Sequence, residues 1–125
     1  MENSSEIMKV GEKLVDFCRR GENLKAVDSL YSDRVESHEA VSMPGMPEGV
    51  NGIEAIRKKN KDWEETMETH KVEVDGPFPC GNRFAVYYNI DATDKKTKKR
   101  MQMKEVGLYT VRDGKIIKEE FFYSM

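Results

Sequence analysis

Apolar residues recur at helical spacing through the first half of the chain and alternate with polar ones through the second, so helices should come first and strands last. Ile7, Val10, Leu14, Phe17 and Cys18 form one stripe, on a helix capped by Ser4 or Ser5 and ending near Gly21. Asn23 caps a shorter helix with Leu24, Val27, Leu30 and Tyr31 on its apolar side. Residues 34–41 alternate loosely and are read as a short strand. Residues 42–49 hold prolines and glycines that break both helix and ladder, which makes them a loop bearing Met43 and Met46. From Asn51 or Gly52 to about Thr69 the spacing of Ile53, Ile56, Trp63 and Met67 predicts a long helix, with Arg57, Lys58, Lys61 and Glu65 largely outside the stripe. Four strands follow, over 71–78, 83–93, 100–111 and 115–123. The order α-α-β-α-β-β-β-β implies an α+β fold in which an antiparallel meander packs on helices.

The last two strands place carboxylates among apolar side chains. A three-residue loop, Arg112-Asp113-Gly114, would pair Val111 with Lys115 and put odd-numbered residues of both arms on one face. That face carries Met101, Met103, Glu105, Gly107, Tyr109, Ile117, Glu119, Phe121 and Tyr123. A two-residue Asp113-Gly114 turn would slip the second arm by one and bring Glu120 and Phe122 to Glu105 instead. A buried carboxylate is costly unless paired or protonated, so this face is where chemistry is sought.

Composition narrows the function. The 125 residues suit one domain, 1–125, with a single core. A net charge of −2 gives no electrostatic case for nucleic acid or anionic membrane. No apolar run reaches membrane-spanning length and the first residues lack a signal core, so a cytoplasmic address is expected. Cys18 and Cys80 fit neither a CxxC motif nor a disulfide framework. The basic run of residues 95–100 is read as a solvated hairpin tip. Glu36, His38, Glu39 and His70 are of metal-ligating type, but no HxH or HExxH spacing joins them, and no glycine-rich phosphate loop follows a strand. Neither a metal nor a cofactor is expected.

Leu30-Tyr31-Ser32-Asp33 closing the helical pair, the Gly52-Ile53-Glu54-Ala55-Ile56 helix start and the Val111 to Ile116 hairpin resemble the NTF2-like superfamily. Within it, Val35 to Ala40, Met43 to Pro47, Glu105 to Tyr109 and Glu119 to Tyr123 resemble SnoaL-like domains, and the likeness spans nearly the whole chain. It implies a cone in which a curved, mostly antiparallel sheet wraps the third helix, with a pocket at the wide end and often a homodimer through the outer sheet face. Relatives include polyketide cyclases, ketosteroid isomerases and dehydratases, as well as proteins that only bind or assemble. The proton-shuttling aspartate of the isomerases would fall on Glu39, with His38 the alternative. Their oxyanion-hole tyrosine and aspartate would fall near Leu14 or Val15 and near Val106 or Gly107, none of which has a side chain that donates a hydrogen bond.

The resulting expectation is a small apolar carbonyl compound bound in the cone, with cofactor-independent acid/base proton transfer. Glu39 is the candidate base, and Glu105, His38, Tyr109 or Tyr123 the candidate donor. Trp63, Met103, Tyr109, Glu119, Phe121 and Tyr123 would line the ligand, and Met46 would cover it. A binding protein without turnover and a dimeric assembly module are the alternatives, the latter supported by Val106, Leu108, Ile116 and Phe122 on the face read as outward.

Overall fold

The computed structural model describes residues 4–40 and 49–123. Ser4–Arg19 forms α1 and Asn23–Leu30 forms α2, joined through Gly21 at a φ of 71°, a left-handed conformation that glycine adopts without strain. The apolar stripes predicted for both helices are the faces that α1 and α2 bury, through Ile7, Val10, Leu14 and Val15 and through Ala26, Val27 and Leu30. At Gly11 the contact is closer still, because a methyl group there would sit 2.7 Å from Pro77 Cβ and 3.3 Å from Phe84 Cδ2. Arg19 ties the end of α1 to the sheet by donating from Nε and Nη2 to the Val74 carbonyl at 3.1 and 2.7 Å.

The strands are β1 (Tyr31–His38), β2 (Gly49–Asn51), β3 (Met67–Cys80), β4 (Arg83–Asp94), β5 (Arg100–Arg112) and β6 (Lys115–Phe122), with α3 (Ile53–Thr66) between β2 and β3. They form one curved, open sheet in the order β2-β1-β6-β5-β4-β3. Among its pairings only β1–β6 is parallel. α3 packs on β1, β2 and β3, and α1 on β3 and β4, which encloses the core inside the α+β cone expected from the sequence.

Three boundaries differ from the sequence reading. Tyr31 already belongs to β1, because it is buried and pairs with Ile116. Gly49–Asn51, expected as loop and helix start, is a short edge strand whose Val50 pairs with Ser37. α3 stops at Thr66, whose hydroxyl bonds back to the Asp62 carbonyl at 2.7 Å, and Met67 enters the sheet opposite Asp94. A β-branched residue that bonds back to its own helix carries no preference for continuing it.

The last hairpin follows neither expected register alone. Its turn is the two-residue one, with Arg112 opposite Lys115 and with Asp113 and Gly114 at φ values of 52° and 75°. One step on, Val111 faces Ile116 but Thr110 faces Lys118, so Ile117 is a surplus residue and a β-bulge. Ile116, expected outside, is therefore fully buried, whereas Ile117 is not. Beyond the bulge the slip amounts to two residues, which restores the face. Tyr109 faces Glu119 and Gly107 faces Phe121, so Glu119 rather than Glu120 joins the face of Glu105.

Candidate functional site

Alternation along β1 turns Val35 and Ser37 inward, and Glu39 just beyond the strand follows them. β6 runs alongside and contributes Glu119, while β5 contributes Glu105, Gly107 and Tyr109 from the next position in the sheet. α3 crosses this wall with Lys59, one helical turn beyond Ile56 and one before Trp63.

Glu119 is only 3 % exposed and is the most enclosed charged side chain of the site. Tyr31 Oη donates to its Oε1 at 2.5 Å and Ser37 Oγ to its Oε2 at 2.7 Å. Lys59 Nζ donates to Ser37 Oγ at 3.0 Å, lies 4.0 Å from Glu119 Oε2 and forms an ion pair with Glu39 Oε1. The same ammonium stands 4.8 Å from the centre of the Phe121 ring, a cation–π distance. Polar groups from β1, α3 and β6 are thus wired together against an apolar core, where the buried Ser37 and Glu119 are tolerated because each finds a partner. Burial raises the proton affinity of Glu119 above the ordinary carboxylate range, with Lys59, Tyr31 and Ser37 opposing the shift.

Glu105 faces this cluster without joining it. Among the described residues no hydrogen bond or ion pair holds its carboxylate. Burial, then the charge of Glu39, pushes its pKa up to about 7, while Lys59 pulls it down and Glu119 adds to the rise. Tyr88, paired with Glu105 across β4 and β5, is the inward member of the Tyr87-Tyr88 pair. Its hydroxyl lies 2.6 Å from that of Tyr109, and Cys18 Sγ lies 3.8 Å from Tyr88 Oη. Burial holds Tyr31, Tyr88 and Tyr109 well above the usual phenol range and pushes Cys18 up to about 11, so all four remain protonated near neutrality. Tyr109 stacks on Phe84 at 5.1 Å and folds back over Gly107, where an added Cβ would meet its hydroxyl at 2.8 Å.

The residues singled out in the sequence distribute as follows. Glu39, Glu105, Glu119, Tyr109 and Phe121 come together on the inner wall. His38 lies on the opposite side of β1, with its side chain 43 % exposed and Nε2 3.7 Å from Glu36 Oε1, so the structure does not bring it to the carboxylates. Trp63, Met103 and Tyr123 are half-buried and lie outside the fully packed core, whereas Phe121 packs against it. Met46 lies outside the described residues. Lys59, Ser37 and Tyr31 were not anticipated as members of the site, whereas Tyr87 and Tyr88 alternate in a strand, so that one of them is expected inside, and it is Tyr88. For Lys59 a signal existed, since its spacing from Ile56 and Trp63 places a cation on the apolar stripe.

The SnoaL-like domain family model matches residues 6–123. A SnoaL-like polyketide cyclase candidate from Mesorhizobium loti is 37% identical, with a TM-score of 0.86 over 98% of this chain and 100% of that one. An NTF2-like protein of unknown function from Burkholderia pseudomallei shares the fold at 15% identity, with a TM-score of 0.79 over 95% of this chain and 91% of its own. An LEH-like epoxide hydrolase of M. tuberculosis does so at 15% identity, with a TM-score of 0.70 over 96% and 84%. No curated protein sequence matches the chain at a significant level.

Proposed function

Because the chain belongs to the SnoaL-like domain family, we propose that it takes a small apolar carbonyl compound into the cone and moves a proton on it without a cofactor, with Glu105 as the proton carrier. The observation that carries this reading is the isolation of Glu105. It is the one inner-wall carboxylate with no bonded partner among the described residues, and its pKa of about 7 lets it exist in both forms at neutral pH. Glu39, the base implied by family resemblance, is engaged by Lys59 and would have to give up that contact to act.

In the unprotonated form, Glu105 takes the proton from the carbon beside the carbonyl. The C–H electron pair becomes a C=C bond and the carbonyl π pair moves to oxygen, giving an enolate. Protonated Glu105 then returns the proton to the same or another carbon, as an isomerase requires. In a cyclase the enolate carbon bonds to a second carbonyl carbon, whose π pair moves to its oxygen, and that alkoxide takes the proton from Glu105. Trp63, Met103, Phe121 and Tyr123 supply apolar and aromatic surface for the rest of the ligand.

NMR titration of the Glu105 carboxyl carbon tests this. A midpoint near 7 is expected, together with deuterium uptake at the α carbon of cyclohexenone in heavy water. A midpoint in the ordinary carboxylate range would favour binding without turnover. Stability carries the same signature. A carboxyl raised from 4.5 to about 7 holds its proton in the folded state after the unfolded chain has released it. Its contribution is full below about 4.5 and is lost as pH rises through 7, by up to about 3 kcal/mol, and Glu105→Gln should lack that slope.

We further infer a homodimer through the outer sheet face, where Val106 and Phe122 pair across β5 and β6 while 37% and 51% exposed. Tyr87, opposite Val106 on β4, extends the same apolar surface. Sedimentation equilibrium should give a dimer that Phe122→Lys dissociates. A wild-type monomer at high concentration would refute the assembly.

A further inference from the structure

We propose that Lys59 is the partner of Glu105 in the reaction, holding the carbonyl oxygen of the bound compound and stabilising the enolate that forms there. This rests on the proton-transfer reading of Glu105 and assigns the group that reading leaves open. Enolate formation needs a fixed donor at the oxygen. The side chains at Leu14, Val15, Val106 and Gly107 supply none. Tyr31 spends its single proton on Glu119, and the hydroxyls of Tyr88 and Tyr109 have each other at 2.6 Å and Cys18 Sγ at 3.8 Å from Tyr88 as partners.

Lys59 meets the requirement by placement and by count. Of the groups whose charges act on Glu105, namely Glu39, Lys59 and Glu119, it is the one cation. Its ammonium has three donors. Glu39 and Ser37 take two, and Glu119 Oε2 at 4.0 Å is too distant to hydrogen-bond the third. The side chain is 30% exposed, so it is not sealed in the core. The two engaged contacts fix Nζ in position before any ligand arrives, so little reorganisation is needed when charge develops on the oxygen. Lys59 keeps its proton throughout. The carbon acid loses its proton to Glu105, and the electron pair rests on an oxygen hydrogen-bonded by the ammonium.

Binding of para-nitrophenolate, an oxyanion probe, and of nitrobenzene, a neutral probe of similar shape, tests the assignment in the wild type, Lys59→Met and Lys59→Arg. Lys59→Met should weaken phenolate binding about tenfold or more and leave nitrobenzene unchanged, and Lys59→Arg should restore most of the loss. The Glu105 midpoint should also rise in Lys59→Met, since the lysine charge opposes the upward shift. Equal phenolate affinity with and without the lysine overturns the assignment, as does no phenolate binding by the wild type or an equal loss for both probes. The reading of Glu105 itself fails on a different result, a wild-type Glu105 midpoint in the ordinary carboxylate range.

Discussion

Glu105→Gln is expected to slow α-proton exchange about 100- to 10,000-fold, the usual contribution of a positioned acid or base, while leaving the fold intact. Glutamine matches the shape of glutamate but neither accepts nor returns a proton at neutral pH. Because no bonded partner among the described residues depends on Glu105, the substitution strands no buried group and the loss is one of chemistry. The wild-type rate should rise with pH through about 7, as the carboxyl gives up its proton and becomes a base, and then level off. Glu39→Gln separates the two candidate bases. It removes a negative charge that raises Glu105, so it should move the inflection of the pH profile downward rather than abolish exchange. A Glu105→Gln protein that exchanges at the wild-type rate would rule this carboxyl out and return the role to Glu39.

Glu119→Leu is expected to destabilise the fold by about 3–5 kcal/mol, read from urea denaturation, because it removes the acceptor of two hydroxyls buried with it. Leucine fills a similar volume, so little of the loss comes from a cavity. Most of it is the cost of leaving the buried hydroxyl protons of Tyr31 and Ser37 without their acceptor, although Ser37 Oγ still accepts from Lys59. Adding Tyr31→Phe and Ser37→Ala to the same chain should recover a large part of the stability, since a polar group removed together with its partner costs little. If Glu119→Leu alone stays within about 0.5 kcal/mol of the wild type, the cluster is not the structural tie that its geometry implies.

The fold could be read from the chain because its strongest signals are periodic. The stripes of Ile7 to Leu14 and of Val27 to Leu30, and the alternation from Phe84 to Val86 to Tyr88, correspond to faces that are buried. What escaped was set by neighbours distant in sequence. β2 is three residues, too short to show a period, and it is held by pairing with the adjacent edge of β1. The companion of Glu105 was identified correctly although its route was not. The turn is one residue shorter than expected and the bulge at Ile117 adds one residue more, so the register ends two residues away from the expected one and Glu119 returns to the expected face. The sequence left Glu39 and His38 as alternatives for one position, and alternation decides between them, because only one of two successive side chains turns inward. Lys59 was missed because a lysine on a helix is ordinarily a solvated charge. Its role becomes visible only once β1 and β6 bring Ser37, Glu39 and Glu119 to the same place.

The parallel pairing of β1 with β6 also governs when the site comes into being. Tyr31 and Glu119 are separated by 88 positions, and β1 has no neighbour in the sheet besides β2 until β6 arrives. During synthesis the ribosome releases β1 long before β6, so the hydroxyls of Tyr31 and Ser37 wait without Glu119 while most of the chain is made. Closing so long a loop is slow and is rewarded only at the end. Assembly of the carboxylate cluster is therefore a late event, and a folding chain that has formed both N-terminal helices still lacks the machinery until its last strand docks.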